Sequence, residues 1–367
     1  MASLENKRLH ALDILRGLTI ILMIVVNSPG SWSHVYAPLL HADWNGITPT
    51  DYVFPSFLFI VGVSIALSFS KQKEQGKSRS EMTQKVLIRS LKIYVVGVFL
   101  WLWPSFNFEG IRWVGVLPRI AFVFLACALL FLYTSRKVLL YLGIALLLFY
   151  WIVMAYVPIP GIGSPDLSVP EKNWAHYLDN LLLPGRLWKH TWDPEGILST
   201  LPAIATGIMG IMAGYILLKK KELSHRINQL FFFGFLLLLL GDVMQWFFPL
   251  NKNLWSSSFS LFMGGVTALG LAAAVYIFDL KESQYRFKFA HVFGINSIFS
   301  YALSSLLTVV FYSSKWWGFA LNQEFMGLWD RIGLPLKLGS LLYALCYVVV
   351  IWIPTYYLFK KKIFIKL

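Results

Sequence analysis

Charge is scarce in this sequence. Asp, Glu, Lys and Arg make up 14% of 367 residues, where a soluble globular protein carries roughly a quarter, so an ordinary water-soluble enzyme is excluded. Cysteine is nearly absent. Cys127 and Cys346 both fall inside apolar runs, which excludes a disulfide framework and leaves no Cys/His spacing for a metal. Glycine patterns of the Walker or Rossmann type are missing, so ATP and NAD have no support. The ten-residue alternating segments of a β-barrel are missing too. Disorder requires low hydrophobicity, whereas 57% of these residues are hydrophobic and the mean hydropathy is +0.63.

What the sequence has is long apolar runs. Ten occur, at about 11–30, 52–70, 87–104, 114–134, 138–157, 196–218, 227–248, 257–278, 290–312 and 336–358. Each is long enough to cross ~30 Å of hydrocarbon at 1.5 Å per residue. Backbone groups in lipid must be satisfied internally, so the runs are predicted as helices. The fold class is an all-α polytopic membrane protein of about ten transmembrane helices. It is read as a single transmembrane domain over 1–367, with substantial outer loops at 31–51 and 158–195.

The placement of charge orients the chain. The net charge is +14, and Lys and Arg gather at every second loop: Lys7, Arg8 and Arg16; Lys71 to Lys92; Arg136 and Lys137; Lys219 to Arg226; Lys281 to Lys288; Lys360 to Lys366. Positive residues stay cytoplasmic, which puts both termini inside; an even number of spans requires the same. Separate juxtamembrane clusters argue against nucleic-acid binding and for contact with a lipid bilayer. No cleavable leader is expected, because the first run is long and lacks a small-residue cleavage site.

Ionisable groups inside or beside spans mark functional candidates. Asp13 and Arg16 stand three apart at the start of the first run and can pair on one helix face. Thr48, Pro49 and Asp51 read as N-cap, N1 and N3 of the second, so Asp51 has an ordinary role as a capping carboxylate. His41 stands just before that helix on the outer side, and histidine suits proton transfer near neutral pH; a lone loop histidine is more often an ordinary surface residue. Arg112 and Arg119 flank the fourth run, Asp193 and Glu195 open the sixth, and Asn296 and Ser297 lie in the ninth. Trp174, Trp188 and Trp192 in the long outer loop suit sugar stacking and interfacial anchoring alike.

Several of these residues fall in a pattern. Leu12-Asp13-x-x-Arg16-Gly17 is followed by Asn27. Then comes H-A-x-W-N-G-x-T-x-x-D-x-V-F-P-x-F-x-F-I-x-G, from His41 to Gly62. This block resembles the heparan-alpha-glucosaminide N-acetyltransferase family, the lysosomal transmembrane enzyme and its bacterial relatives. The later stretches G-V-L-P-R-I-A from Gly115, G-x-L-S-T-L-P-A-I from Gly196, N-K-x-L-W-S-S-S-F from Asn251 and N-S-I from Asn296 look like it as well. Pro118 stands where the family usually has Gln. The resemblance does not extend to the amino-terminal luminal domain and additional span of the lysosomal member.

The resemblance implies a transmembrane acetyltransferase. Its donor is cytosolic acetyl-CoA and its acceptor the amine of a glucosamine or glucosaminide on the outer face of a bacterial inner membrane, with no metal. It implies His41 as the catalytic residue, with Asn27 as its active-site neighbour. Arg16, Asn296 and Ser257 are the candidates for holding the coenzyme. Asp51, Asn45, Trp44 and Arg119 are those for the acceptor. A homodimer is also implied. Two other readings stay open: a secondary transporter of sugars, which predicts an inverted repeat, and an O-acetyltransferase of surface polysaccharide.

Overall fold

An uncharged run of Leu, Ile, Val, Phe and Ala gives the backbone no alternative to its own hydrogen bonds once water is gone, and helix is the local solution. The computed structural model describes residues 9–365, with backbone alone at 284 and 285, and among them helices are the only extended elements. All ten predicted runs contain helix: α1 (His10–Asn27), α2 (Val53–Glu74), α3 (Arg79–Leu102), α4 (Val116–Tyr133), α5 (Arg136–Tyr156), α7 (Thr200–Leu217), α8 (Leu223–Met244), α9 (Ser257–Ala274), the pair α10 (Lys288–Ile295) and α11 (Ser297–Tyr312), and α13 (Leu336–Lys360). Two helices were not predicted. They are α6 (Trp174–Leu182) inside the long loop and α12 (Leu321–Arg331) between α11 and α13. Both are amphipathic and too short to span a bilayer.

Eight helices among the described residues are long and apolar enough to cross a membrane, or nine if α10 and α11 count as one span. The prediction was about ten, and two runs explain the difference. Helix α3 has 24 residues, but every 18-residue stretch of it carries at least three charged side chains, including Lys85, Arg89 and Lys92. The ninth run breaks at Asn296, where α10 and α11 meet at 87°. Asn296 leaves helical geometry there (φ −116°, ψ 43°). Its amide donates to the Ile363 carbonyl at 3.1 Å and accepts from the Ile365 N–H at 3.0 Å.

The chain divides into two compact units. The first comprises residues up to Leu40, Lys221–Phe231 and the stretch from Leu269 onward. Its centre is the crossing of α1 and α10. There Gly17 faces the Ala290 carbonyl and Gly294 faces the Asp13 carbonyl so closely that a Cβ at either position would overlap backbone. Small residues at such crossings let two backbones approach, and dispersion then works at short range. The Asp13–Arg16 pair forms within this unit at 3.4 Å, and Arg16 also donates to the Gly294 carbonyl at 3.2 Å.

The second unit comprises His41–Lys220 and Phe232–Ala268. Helices α2 and α7 are its axis. Gly62 lies on the Gly207 carbonyl and Gly210 on the Phe59 carbonyl, again with no space for a side chain. Helices α4, α5 and α9 pack on this pair and α3 packs on α4, while α6 packs on the C-terminal end of α5 with Ala175 beside Tyr150 and Met154.

Candidate active site

The second unit assembles a polar constellation from two loops, 41–52 before α2 and 249–256 before α9. Thr48 and Asp51 form the predicted capping box around a 3-10 turn at Pro49–Tyr52 that leads into α2. The Asp51 side chain does more than cap. Its Oδ2 accepts from the Thr48 N–H (2.9 Å), the Ala42 N–H (3.1 Å) and the Thr48 hydroxyl (3.2 Å), while Oδ1 lies 2.6 Å from His41 Nδ1. The carboxylate is 1% exposed and the His41 side chain 46% exposed. A carboxylate that only accepts assigns a proton to Nδ1.

The second loop is stapled onto the first. The Gly46 N–H donates to the Leu250 carbonyl at 2.8 Å, Asn251 Nδ2 donates to Asn45 Oδ1 at 3.1 Å, and Asn253 reaches the Asp43 carbonyl at 3.4 Å. These contacts bring Lys252 over His41, with Nζ 3.0 Å from Nδ1, 3.1 Å from Nε2 and 3.7 Å from Asp51 Oδ1. Burial pushes the Lys252 ammonium down from its ordinary value, and the charges of Glu195 and Asp51 oppose that shift. Lys252 was not among the predicted site residues. Its signal in the sequence was the N-K-x-L-W-S-S-S-F stretch from Asn251.

Behind this group lies a buried ionic cluster. Arg112 Nε and Nη2 each donate to Asp193 at 2.6 Å, and Nη2 also meets Glu195 Oε2 at 2.5 Å. Burial would raise the Asp193 carboxyl; the Arg112 bonds and charge outweigh it and hold it below the usual range. Arg119 is 1% exposed, donates to the Gly196 carbonyl and the Ser199 hydroxyl, and lies over the Trp255 ring at 5.2 Å. Asp179 is held by the Ile197 N–H at 2.8 Å, and burial pushes its carboxyl up to about 7.

The other predicted residues are distributed as follows. Trp44 donates to the Leu167 carbonyl at 2.8 Å and stands edge-on to His176 and Trp192. Ser257 is fully buried, and its hydroxyl donates to the Leu147 carbonyl at 2.7 Å. Asn27, Arg16 and Asn296 belong to the first unit, where Asn27 closes α1 as an exposed residue. Trp188 lies against Arg112 at 5.1 Å, and Trp174 donates to the Val157 carbonyl. His176, in α6, is a contrast to His41. It stacks on Trp192 at 4.9 Å, accepts from the Asn173 amide at 2.9 Å, and burial pushes it down to about 3, so it stays neutral.

An exposed imidazole on a buried carboxylate stands beside one end of a membrane-length helix in a polytopic membrane protein. A family model described as heparan-alpha-glucosaminide N-acetyltransferase, catalytic, matches residues 8–248, and the chain belongs to that family. It is 29% identical to the heparan-alpha-glucosaminide N-acetyltransferases of Mus musculus and Homo sapiens over 350 aligned positions. The alignments cover 80% of this chain and 53% and 52% of those proteins, so the chain spans about half the length of the curated relatives it matches.

Proposed function

We propose that the chain transfers an acetyl group from cytosolic acetyl-CoA to the amine of a glucosamine or glucosaminide at the outer face of a bacterial inner membrane, with His41 as the base. The observation that carries this reading is the His41–Asp51 pair at 2.6 Å, a half-exposed imidazole held through Nδ1 by a buried carboxylate. The form of α2 supports the transmembrane part. Its 22 residues cover about 33 Å at 1.5 Å per residue, with Asp51 just before one end and Lys71 and Lys73 at the other. The acid–base pair and the first large basic cluster therefore stand a membrane thickness apart on one helix. The positive-inside rule assigns the basic end to the cytoplasm, where it complements the phosphates of the coenzyme.

The chemistry is direct acyl transfer. The acceptor nitrogen bonds to the thioester carbonyl carbon while His41 Nε2 takes its proton. The C–S bond then breaks and the sulfur leaves with that proton, returning His41 to its starting form. Asp51 keeps the ring in the productive tautomer and balances the imidazolium that forms.

The test is an assay of the purified full chain with acetyl-CoA and glucosamine, reading free coenzyme A and N-acetylated sugar. N-acetyl product supports the reading. Product on an amine-blocked sugar with none on the free amine would move it to O-acetylation. Neither turnover nor acetyl-CoA binding would sink it in favour of a sugar transporter.

Asp51→Asn separates the two jobs of that side chain. The amide oxygen can keep the Thr48 and Ala42 N–H bonds while the NH2 faces His41 Nδ1, which forces the ring proton onto Nε2. The expected result is a melting temperature close to wild type and activity lower by about 10²–10⁴-fold. Asp51→Ala should lose activity and also about 1 kcal/mol of capping stability.

A further inference from the structure

Lys252 brings a cation into a site where acyl transfer creates charge. A point nearly equidistant from Nδ1 and Nε2, at 3.0 and 3.1 Å, cannot lie in the ring plane, because it would overlap ring atoms. Nζ therefore sits over the face of the His41 ring. That arrangement obstructs neither the Nδ1–Asp51 bond nor the in-plane lone pair of Nε2. The closest carboxylate oxygen, Asp51 Oδ1, is 3.7 Å away, beyond a normal hydrogen bond, so the ammonium keeps N–H donors for another acceptor. Its backbone is tied down: the Lys252 carbonyl accepts from the Trp255 N–H at 3.0 Å, and the flanking Asn251 is bonded to Asn45. The side chain is 15% exposed, so its charge acts through protein rather than bulk water.

The layout acts on the charges of the reaction in two senses: an ammonium 3.0 Å from Nδ1 opposes positive charge on the ring and favours negative charge beside it. At rest the group holds one carboxylate and one ammonium. As an amine attacks a thioester, two opposite charges develop: a positive one on the imidazole that takes the proton, and a negative one on the carbonyl oxygen. Asp51 already faces the first. We propose that the Lys252 ammonium is the partner of the second, a catalytic residue that stabilises the oxyanion of the tetrahedral intermediate. The amine nitrogen bonds to the carbonyl carbon, the C=O π pair moves to oxygen beside Lys252 Nζ, and the proton goes to His41. The pair then returns, the C–S bond breaks and the sulfur takes the proton. Lys252 ends with all its protons. This inference rests on the acetyl-transfer reading above.

The test uses wild type, Lys252→Met and Lys252→Arg with glucosamine, comparing acetyl-CoA with fluoroacetyl-CoA as donor. Removing one oxyanion donor costs about 10²–10³ in kcat. Lys252→Met should show that loss with KM for acetyl-CoA changed by no more than about twofold, and Lys252→Arg should recover at least about tenfold of it. Fluorine withdraws electrons and stabilises the oxyanion by itself, so the Met defect should shrink by about tenfold with fluoroacetyl-CoA. A merely structural role would give the same loss with both donors, and that result overturns the proposal; so does a Met variant within about threefold of wild-type kcat. If Met lowers the melting temperature, the donor comparison is made on Lys252→Arg alone, where equal losses again overturn it. Wild type inert with every acceptor amine would instead sink the functional reading itself.

Discussion

His41→Ala should lower acetyl transfer by about 10³-fold while leaving the protein folded. A positioned general base contributes about 10²–10⁴, and no other imidazole among the described residues is bonded to Asp51. The His41 side chain is 46% exposed, so its removal opens no cavity. Asp51 keeps three of its four hydrogen bonds, to Thr48 and Ala42, and the cap of the turn survives. A single-turnover measurement without acceptor adds a check on direct transfer, which releases no burst of coenzyme A, whereas acetylation of His41 releases one equivalent. Full activity in His41→Ala would remove this residue from the mechanism and leave the reaction class standing.

Arg112→Leu should produce the largest loss of stability, about 3–5 kcal/mol, because it leaves two buried carboxylates without their cation. Asp193 is 1% exposed and Glu195 8%, and Arg112 serves both. The stabilisation has a definite pH sense. Asp193 is held below its ordinary value in the folded protein, so its share is present above about pH 4, where the unfolded carboxyl is ionised. It is lost as pH falls through the folded value. In Arg112→Leu that acid-side dependence should weaken or reverse, since burial alone raises a carboxyl. Chemical denaturation of wild type and variant at pH 4 and pH 7 measures this. An Arg112→Leu protein as stable as wild type at pH 7 would contradict it.

Both halves of that cluster were visible in the sequence, as arginines beside the fourth run and acids opening the sixth. Their pairing was not, because it closes across 81 residues and no local pattern encodes a partner so distant. The same holds at the site. The Thr48–Asp51 capping box is a three-residue relation, and it was legible for that reason. The His41–Asp51 bond depends on how the chain before Thr48 turns back over its own cap. Lys252 arrives from 211 residues away, through loop–loop bonds that hydropathy does not report. The break at Asn296 was hidden for another reason: its flanks are apolar, so the run looked continuous. Only the amide's preference for the backbone at 363 and 365 shows why the helix ends there.

By itself the sequence determined that the chain is helical and lies in a membrane, because scarce charge and long apolar runs admit no other way to satisfy the backbone. It also carried the family, in the block from Leu12 to Gly62. The tertiary structure alone decided which polar residues act together. Ser257 and Asn296 have their polar side-chain atoms bonded to backbone, and Arg119 is held through Nη2 alone, with Nε and Nη1 buried and without hydrogen-bond partners among the described residues, whereas His41, Asp51 and Lys252 converge on one half-open point. Apolar periodicity is a local property of a helix, but the meeting of three ionisable groups depends on how two loops pack, and that is fixed only when the whole unit folds.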